Sequence, residues 1–186
     1  MIFERHSELE GLHAFLGASS HSWLNYTEEK LLDRYDSHLA TLRGTELHEV
    51  AARLIKLGIK QQDNGKTFNM FVNDAIGFKM MTEQVLFYSM NCFGTADAIC
   101  FRNNVLRIHD LKTGVTPTHM EQLMIYAALF CLEYRYKPSE IKIILRIYQN
   151  DEIREFEPTS EDIVPIMDKI ITFDKLINKR RRGELD

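Results

Sequence analysis

Several features that define common protein classes are scarce or missing in this chain of 186 residues. Its three cysteines, Cys92, Cys100 and Cys131, show no CxxC spacing, which argues against a disulfide framework or a four-cysteine zinc or iron–sulfur site; we expect buried reduced thiols. No apolar run approaches the roughly 20 residues that a membrane-spanning helix needs. The N-terminus lacks the features of a signal peptide, so we expect a cytoplasmic protein without membrane contact.

Positive charge is not in excess either. The chain has 23 Lys and Arg against 27 Asp and Glu, a net charge of −4, whereas a protein that coats nucleic acid through bulk charge needs a basic surface. A metal-dependent nuclease is compatible with this balance, because acids that bind metal add negative charge that the metal offsets. The one dense basic run, residues 179–182, is either a solvated helix end or a phosphate contact through Arg180 and Arg181.

No internal repeat, low-complexity segment or linker divides the chain, so the sequence predicts a single domain over 1–186. Its core is expected at about 44–148, after a helical segment over 1–43. Within this region Gly44 is expected to separate two helices, the second of them capped by Thr45.

The central part of the chain predicts a sheet. Short runs of β-branched and aromatic residues predict a three-stranded antiparallel meander at 83–89, 94–102 and 104–112, with a turn at Asn103-Asn104. Further strands are expected at 140–148 and 152–157, the second at an edge. Three more helices are predicted: one around 74–81 after an irregular stretch at 61–73, one from Thr116-Pro117 or from a Thr118–Glu121 capping box to about Tyr136, and one from Thr159 or Ser160 over about 159–180. The fold class is therefore α/β, an α+β mixed sheet with flanking helices.

Asp97 stands in the run Ala96-Asp97-Ala98, where a buried strand would place apolar residues. Desolvating a carboxylate is costly unless it is paired or binds a metal, so Asp97 is a candidate catalytic residue and metal ligand. Alternation along a strand places it on one face with Thr95 and Ile99, and the two alanines on the other. A salt bridge or a partly exposed strand position is the alternative.

Asp110 and Lys112 lie two residues apart, so a strand places both on one face near its end. Leu111 between them would point into the packing and leave its backbone carbonyl as a further metal ligand. Beside carboxylates that hold Mg²⁺ or Mn²⁺, Lys112 would orient the attacking water or stabilise the developing charge. The pattern Asp-x-Lys is common by chance, but here it follows the strand with Asp97 and precedes Thr113-Gly114 and a helix.

Other candidates are weaker when taken alone. Gln122 and Tyr126 share a helix face and can hydrogen-bond a phosphate, a base or the lysine; a surface glutamine and a half-buried tyrosine are the alternative. His48 is either a ligand for a metal such as Mn²⁺ or a satisfied boundary residue. Glu83, at a strand start, offers one more carboxylate, although acids are common at such positions.

A small polar cluster near the N-terminus contains Ser19, Ser20 and the sole tryptophan, Trp23. These residues are candidates for nucleic-acid binding, with the indole stacked on a base. Packing of Trp23 against the following helix is the alternative.

Together these motifs resemble the PD-(D/E)XK nuclease superfamily, specifically its RecB-like exonuclease branch. The matching residues follow one another in the order of that branch, over about 44–148: Gly44-Thr45-x-x-His48, Gly94-x-x-Asp97, Asp110-x-Lys112-Thr113-Gly114 and Gln122-x-x-x-Tyr126. The run Gly17-Ala18-Ser19-Ser20 with Trp23 also looks like the short N-terminal motif of phage-type members.

The resemblance implies a restriction-endonuclease-like αβββαβ core and a metal-dependent DNA exonuclease that acts on single strands or duplex ends, in phage or recombination and repair processing. It implies Mg²⁺ or Mn²⁺ held by His48, Asp97, Asp110 and the Leu111 carbonyl, and Lys112 serving the attacking water. The DNA path would be lined by Thr113, Gln122 and Tyr126. A structure-specific endonuclease and a catalytically silent nucleic-acid-binding protein are the alternatives.

Two departures from relatives set further expectations. Tyr26 stands where many relatives place the first cysteine of an iron–sulfur cluster, and a C-terminal cysteine trio is missing from the sequence, so we expect no cluster. A P-loop is also missing, so any ATP-driven unwinding would come from a partner. A helicase, a recombinase or a single-strand-binding protein is the candidate partner besides DNA.

Overall fold

The computed structural model describes residues 14–116 and 118–183. The chain divides into two compact units, Met1–Thr45 and Glu46–Asp186, close to the expected start of the core at 44. The single domain stays a prediction, and the part of the N-terminal helical segment over 1–13 lies outside the described residues. Among the helices that the structure describes, none is both long and apolar enough to cross a membrane.

The first helix is longer than the sequence predicts. A 3-10 helix at Ala18–Asn25 precedes α1, which runs unbroken over Glu28–Leu57. The predicted break at Gly44 and the cap at Thr45 are therefore wrong. The Thr45 hydroxyl instead donates to the carbonyl of Thr41, 3.2 Å away, one helical turn earlier. A glycine costs a helix about 1 kcal/mol relative to alanine, and a helix of 30 residues absorbs that cost.

Five strands form one mixed sheet in the order β1-β2-β3-β4-β5. The strands are β1 (Met81–Ser89), β2 (Cys92–Arg102), β3 (Val105–Leu111), β4 (Lys142–Gln149) and β5 (Glu152–Phe156). The first three form the predicted antiparallel meander, β4 pairs parallel to β3, and β5 pairs antiparallel to β4. Asn103 and Asn104 make the predicted turn with φ values of 51° and 58°. The predicted mixed α/β fold class is confirmed.

Helix α2 begins earlier than predicted, at Thr67, and ends at Gly77. The stretch 61–73, predicted to be irregular, therefore contains most of this helix. The reason is a long-range contact: the backbone N–H of Thr67 donates to Asp151 Oδ1 over 2.9 Å, and the Thr67 hydroxyl donates over 3.1 Å. A carboxylate 84 residues away thus satisfies the start of the helix.

The other two helices follow the prediction more closely. Helix α3 spans Glu121–Tyr134 and begins without a side-chain cap. The Thr118–Glu121 capping box is wrong, because the Thr118 hydroxyl donates to Gln149 Oε1 at 3.2 Å; Pro117 lies outside the described residues. Helix α4 spans Ser160–Arg181 and is capped by Thr159, as predicted: its backbone N–H and hydroxyl donate to Asp162 Oδ2 at 2.7 and 2.9 Å.

Each face of the sheet buries its own apolar core. One core joins the sheet to α3 and α4 and includes Leu86, Ala96, Ile108 and Leu123. The other joins it to α2 and to the part of α1 after Glu46. Fully burying an aliphatic side chain contributes about 1.5–3 kcal/mol, so these cores fix the strand ends that carry the candidate site. Of the three thiols, Cys100 and Cys131 are buried as expected, and Cys92 is half-buried.

Candidate metal centre

Glu83 on β1 lies opposite Asp97 on β2. The strand pairs on either side of them, Thr82 with Ala98 and Gln84 with Ala96, follow the same register. Glu83 has a φ of 52°, a left-handed conformation that costs a residue other than glycine about 1–3 kcal/mol. At this point the alternation of β2 shifts, since Ala96 packs in the core of α3 and α4 while Ala98 packs in the core of α1 and α2. The predicted strict alternation through Asp97, with both alanines on one face, is therefore wrong.

Three side chains of types that can bind a metal ion converge at this irregular point. His48 Nδ1 lies 3.3 Å from Asp97 Oδ2, and the backbone N–H of Leu111 donates to the same oxygen over 2.9 Å. His48, Glu83 and Asp97 each present one ligand atom, and these atoms all lie within 4.8 Å of one another. Two carboxylates and a neutral imidazole are a suitable donor set for one divalent cation such as Mn²⁺ or Mg²⁺.

Asp110 begins a second chain of contacts, which runs from β3 to α3. Lys112 Nζ lies 3.1 Å from Asp110 Oδ1 and 3.0 Å from Oδ2, and it donates to Gln122 Oε1 over 2.9 Å. Gln122 Nε2 in turn donates to the Tyr126 hydroxyl over 3.1 Å. Sequence reasoning left several partners open for this glutamine, and the structure places it against Lys112.

Gly94 explains how Tyr126 comes so close to the sheet. A Cβ added at Gly94 would lie 2.8 Å from Tyr126 Cε1, a separation that packed carbon atoms do not adopt. The tyrosine ring therefore rests on bare backbone of β2. Gly94 of the Gly94-x-x-Asp97 motif thus lets α3 pack close to β2, and α3 carries Gln122, which accepts a hydrogen bond from Lys112.

Negative charge is only partly balanced at this end of the sheet. Burial raises the pKa of Asp110, and the nearby Asp97 raises it further against the opposing effect of Lys112. Burial, followed by Asp97, also raises the pKa of Glu83. The hydrogen bond to Asp97 raises the pKa of His48. Glu83, Asp97, Asp110, Lys112 and His48, which we call the acidic cluster, thus contain three carboxylates and one lysine.

One buried oxygen of the cluster lacks a hydrogen bond. Asp110 is only 2% exposed, and its Oδ2 accepts no hydrogen bond from any residue of 14–116 or 118–183. Lys112 Nζ lies close to this oxygen, but as an ion pair without hydrogen-bond geometry. An unsatisfied carboxylate oxygen next to three converging ligands fits the binding of a divalent cation. Asp110 lies outside the group within 4.8 Å, so His48, Glu83 and Asp97 are the stronger candidate ligands by geometry.

The remaining residues predicted for this site lie around the cluster. The Leu111 side chain is 1% exposed, as expected, and its carbonyl as a metal ligand stays a prediction. Thr113 is exposed and, with Lys112, lines a cavity of about 240 Å³. Phe68 and Asn150 line the same cavity, and sequence reasoning missed both. Phe68 was missed because it lies on the part of α2 that was not predicted to be helical.

The predicted nucleic-acid contacts outside the cluster lie in separate segments. Ser19, Ser20 and Trp23 belong to the 3-10 helix of the first unit, where Trp23 Nε1 donates to the carbonyl of Gly17 over 3.1 Å. Arg180 and Arg181 lie in the last turn of α4, and both are exposed. Contacts of these residues with DNA stay predictions.

A family model matches residues 79–175, which hold β1, β2, β3, α3, β4, β5 and most of α4. The match covers more than half of the chain, and the model is described as "Protein of unknown function (DUF2800)". The chain therefore belongs to this family. All of the acidic cluster except His48 lies within the matched residues.

Proposed function

We propose that this member of the DUF2800 family is a metal-dependent DNA exonuclease of the PD-(D/E)XK superfamily, in its RecB-like branch, that hydrolyses phosphodiester bonds in single strands or at duplex ends. One observation carries the proposal. The ligand atoms of His48, Glu83 and Asp97 lie within 4.8 Å of one another, at the same end of the sheet as the Asp110–Lys112 pair. The resemblance of the four sequence motifs supports it independently.

The two carboxylates suit a hard divalent cation, and the imidazole of His48 favours Mn²⁺ over Mg²⁺ within that class. His48, Glu83 and Asp97 would hold Mg²⁺ or Mn²⁺, with the carboxylate of Asp110 completing the charge balance. Such a cation supplies positive charge that polarises the phosphodiester. We expect His48→Ala to weaken the binding of Mn²⁺ while the protein still folds, because the histidine is half-buried at the edge of the core.

Lys112 is the residue proposed to act on the attacking water and the charge that develops. Its ammonium has three N–H donors, and Asp110 and Gln122 orient it through the contacts described above. Among the described partners, that arrangement leaves one donor for a water or a phosphate oxygen. Gln122 and Tyr126 act through the lysine, since they fix the position of its ammonium.

Digestion of end-labelled DNA tests the proposal. Linear single strands, linear duplexes and closed circles are incubated with Mg²⁺, Mn²⁺ or EDTA, using the wild type, Asp110→Ala and, as a matched control, the exposed acid Asp168 of α4 changed to alanine. We expect metal-dependent loss of linear DNA by the wild type and by Asp168→Ala, with circles spared and Asp110→Ala inactive.

Three results would contradict the proposal in different ways. Nicked circles would identify an endonuclease on the same core. Binding of metal without cleavage of any DNA would favour a silent nucleic-acid-binding protein. Full activity of Asp110→Ala would exclude Asp110 from the reaction.

A further inference from the structure

The outer part of the β1–β2 hairpin has an exposed apolar face. Val85, Phe87 and Phe93 are 47%, 42% and 57% exposed. Their strand neighbours point the other way: Leu86 is buried in the core of α3 and α4, and Gly94 contacts Tyr126 of α3. Because side chains alternate along a strand, the three exposed residues lie on the opposite face of the sheet.

The two phenylalanines form a pair on this face. Phe87 and Phe93 are cross-strand partners, and their ring centroids are 6.3 Å apart with an angle of 31° between the planes. Apolar side chains this exposed lose hydrophobic stabilisation, and a contiguous exposed patch is typical of a binding surface. We call Phe87 and Phe93 the phenylalanine pair.

The phenylalanine pair is in line with the acidic cluster. Val85 pairs with Thr95 between the phenylalanine pair and the opposed positions of Glu83 and Asp97. Four residues of β-strand at about 3.3 Å each separate Phe87 from Glu83 by roughly 13 Å. The exposed face therefore begins next to the candidate metal ligands and continues toward the hairpin turn.

Positive charge lies beyond the hairpin turn, at the end of α4, which packs on the other face of the sheet. In the hairpin turn, Asn91 Nδ2 donates to Asp174 Oδ1 over 2.8 Å and to Asn178 Oδ1 over 3.2 Å. These bonds fix α4 to the turn immediately before Lys179 and Arg181, which are both exposed. Along the hairpin, the phenylalanine pair thus lies between the acidic cluster and a turn that contacts the basic end of α4.

We propose that the phenylalanine pair stacks unpaired bases of a DNA single strand, whose phosphates extend from the acidic cluster at one end to Lys179 and Arg181 at the other. The inference rests on the proposed nuclease function and names its substrate as single-stranded DNA. Aromatic rings bind unpaired bases regardless of sequence, whereas a duplex hides the faces of its bases. The combination of exposed rings with cations favours nucleic acid over an apolar protein partner.

Fluorescence anisotropy on the full chain tests this inference. The Asp110→Asn background prevents cleavage, and the probes are a labelled oligothymidine and a strand of equal length whose sites are all abasic. The double variant Phe87→Ala/Phe93→Ala is compared with Phe156→Ala, a phenylalanine of similar exposure on β5 at the opposite edge of the sheet. Thermal unfolding of each variant verifies that it folds.

We expect the double variant to bind oligothymidine about 10- to 100-fold more weakly, the effect of losing one or two stacked bases. Its affinity for the abasic strand stays unchanged, and Phe156→Ala matches the parent on both probes. Lys179→Ala/Arg181→Ala weakens the binding of both strands. It also makes the slope of the binding constant against salt concentration, on logarithmic axes, shallower by the loss of about one to two phosphate contacts.

Equal affinity of the parent and the double variant for oligothymidine overturns the inference, as does an absence of single-strand binding. A dimer that the double variant abolishes while DNA binding stays unchanged would also overturn it and identify the face as an interface between two copies. Cleavage by the wild type with unaltered binding by the double variant rejects this inference alone. Base-dependent binding without cleavage of any DNA rejects the nuclease function alone.

Discussion

Two buried polar groups stand next to each other on β3 and face opposite sides of the sheet. Asp110 belongs to the acidic cluster, whereas His109 belongs to a second set of contacts against α2. The second set consists of Asp74, His109, Arg146, Tyr148 and Glu155, and we call it the tyrosine network. His109 is 0% exposed and Asp110 is 2% exposed, so burial alone does not distinguish them.

The two carboxylates of the tyrosine network accept hydrogen bonds within it, whereas His109 Nε2 is buried without a hydrogen-bond partner among residues 14–116 and 118–183. The Tyr148 hydroxyl donates to Asp74 Oδ2 over 2.6 Å, and Arg146 Nη1 donates to the same oxygen over 2.9 Å. Arg146 Nε also donates to Glu155 Oε2 over 2.5 Å. The hydroxyl proton goes to Asp74, so His109 Nδ1, 3.1 Å away, carries the proton that bonds the hydroxyl oxygen.

The two sets differ in charge rather than in polarity. Burial, with smaller effects of Arg146 and Arg107, lowers the pKa of His109 to about 3, which keeps the ring neutral at physiological pH. In the acidic cluster the pKa values of Asp110 and Glu83 are raised instead, by burial and by the neighbouring Asp97. A cluster whose acids repel one another costs stability that a structural network does not, and such a cost is typical of a functional site.

Lys112→Ala tests the difference between the acidic cluster and the tyrosine network with the largest expected effect. We expect turnover of single-stranded DNA to fall about 10²- to 10³-fold, the loss typical of removing one group that stabilises developing charge. Binding of Mn²⁺ should persist, because the lysine is not a ligand. The exposed Lys142, paired with Glu157, serves as the matched control when changed to alanine. Steady-state cleavage with Mn²⁺ titration measures both effects, and an active Lys112→Ala protein would reject the catalytic role.

Tyr148→Phe tests the structural side of the comparison. The change removes the hydroxyl that bonds Asp74 and His109, and leaving buried polar groups without partners costs about 1–3 kcal/mol. We expect the free energy of unfolding in urea to fall by that amount while the affinity for Mn²⁺ stays unchanged. Tyr134→Phe, an exposed tyrosine of α3, is the control. A weaker metal affinity at unchanged stability would mean that the tyrosine network serves the metal site.

Much of the sheet was predictable because its signals are local. The meander is bounded by residues that favour turns, and Asn103 and Asn104 adopt the positive φ values that such residues tolerate. The start of α2 was not predictable, since the N–H of its first residue donates to Asp151, which lies 84 residues later in the sequence. Nor does the sequence show that α1 continues through Gly44, because a single glycine does not decide between a break and a long helix.

For the site, the sequence identified residue types but not their contacts. Asp97, Asp110 and Lys112 were recognised from motif order. Glu83 groups with Asp97 and His48 at a position where Glu83 has a positive φ, a conformation that the sequence does not predict for glutamate. The network around His109 was not predicted, because the histidine sits in an ordinary strand sequence. Its role follows from the tyrosine of the neighbouring strand, which only the pairing of β3 and β4 brings near.

Gly94→Ala tests how the lysine of the acidic cluster is held. The added methyl group would lie 2.8 Å from the Tyr126 ring, so the ring must move and carry Gln122 with it. We expect cleavage to fall about tenfold, since small misplacements of a catalytic group have large effects on rate, and the unfolding free energy to fall by about 1–2 kcal/mol. Gly77→Ala, where an added Cβ meets nothing within 4 Å, should leave cleavage unchanged. Equal rates for both variants would separate Tyr126 from the positioning of Lys112.

Asp110→Asn gives the smallest effect, and its sign is the opposite of that expected for Tyr148→Phe. The folded state raises the pKa of Asp110, so its carboxyl stays protonated to a higher pH in the folded protein than in the unfolded chain. Ionisation therefore costs stability, and the cost develops as the pH rises from the ordinary aspartate pKa through the raised one.

In EDTA we expect the variant to unfold about 2–4 °C higher than the wild type at pH 8, which corresponds to about 1 kcal/mol for a protein of this size. The difference should vanish near pH 3, where the carboxyl is protonated in both states. Addition of Mn²⁺ should stabilise the wild type more than the variant. A variant that melts below the wild type in EDTA at pH 8 would place Asp110 with the paired, stabilising groups of the tyrosine network.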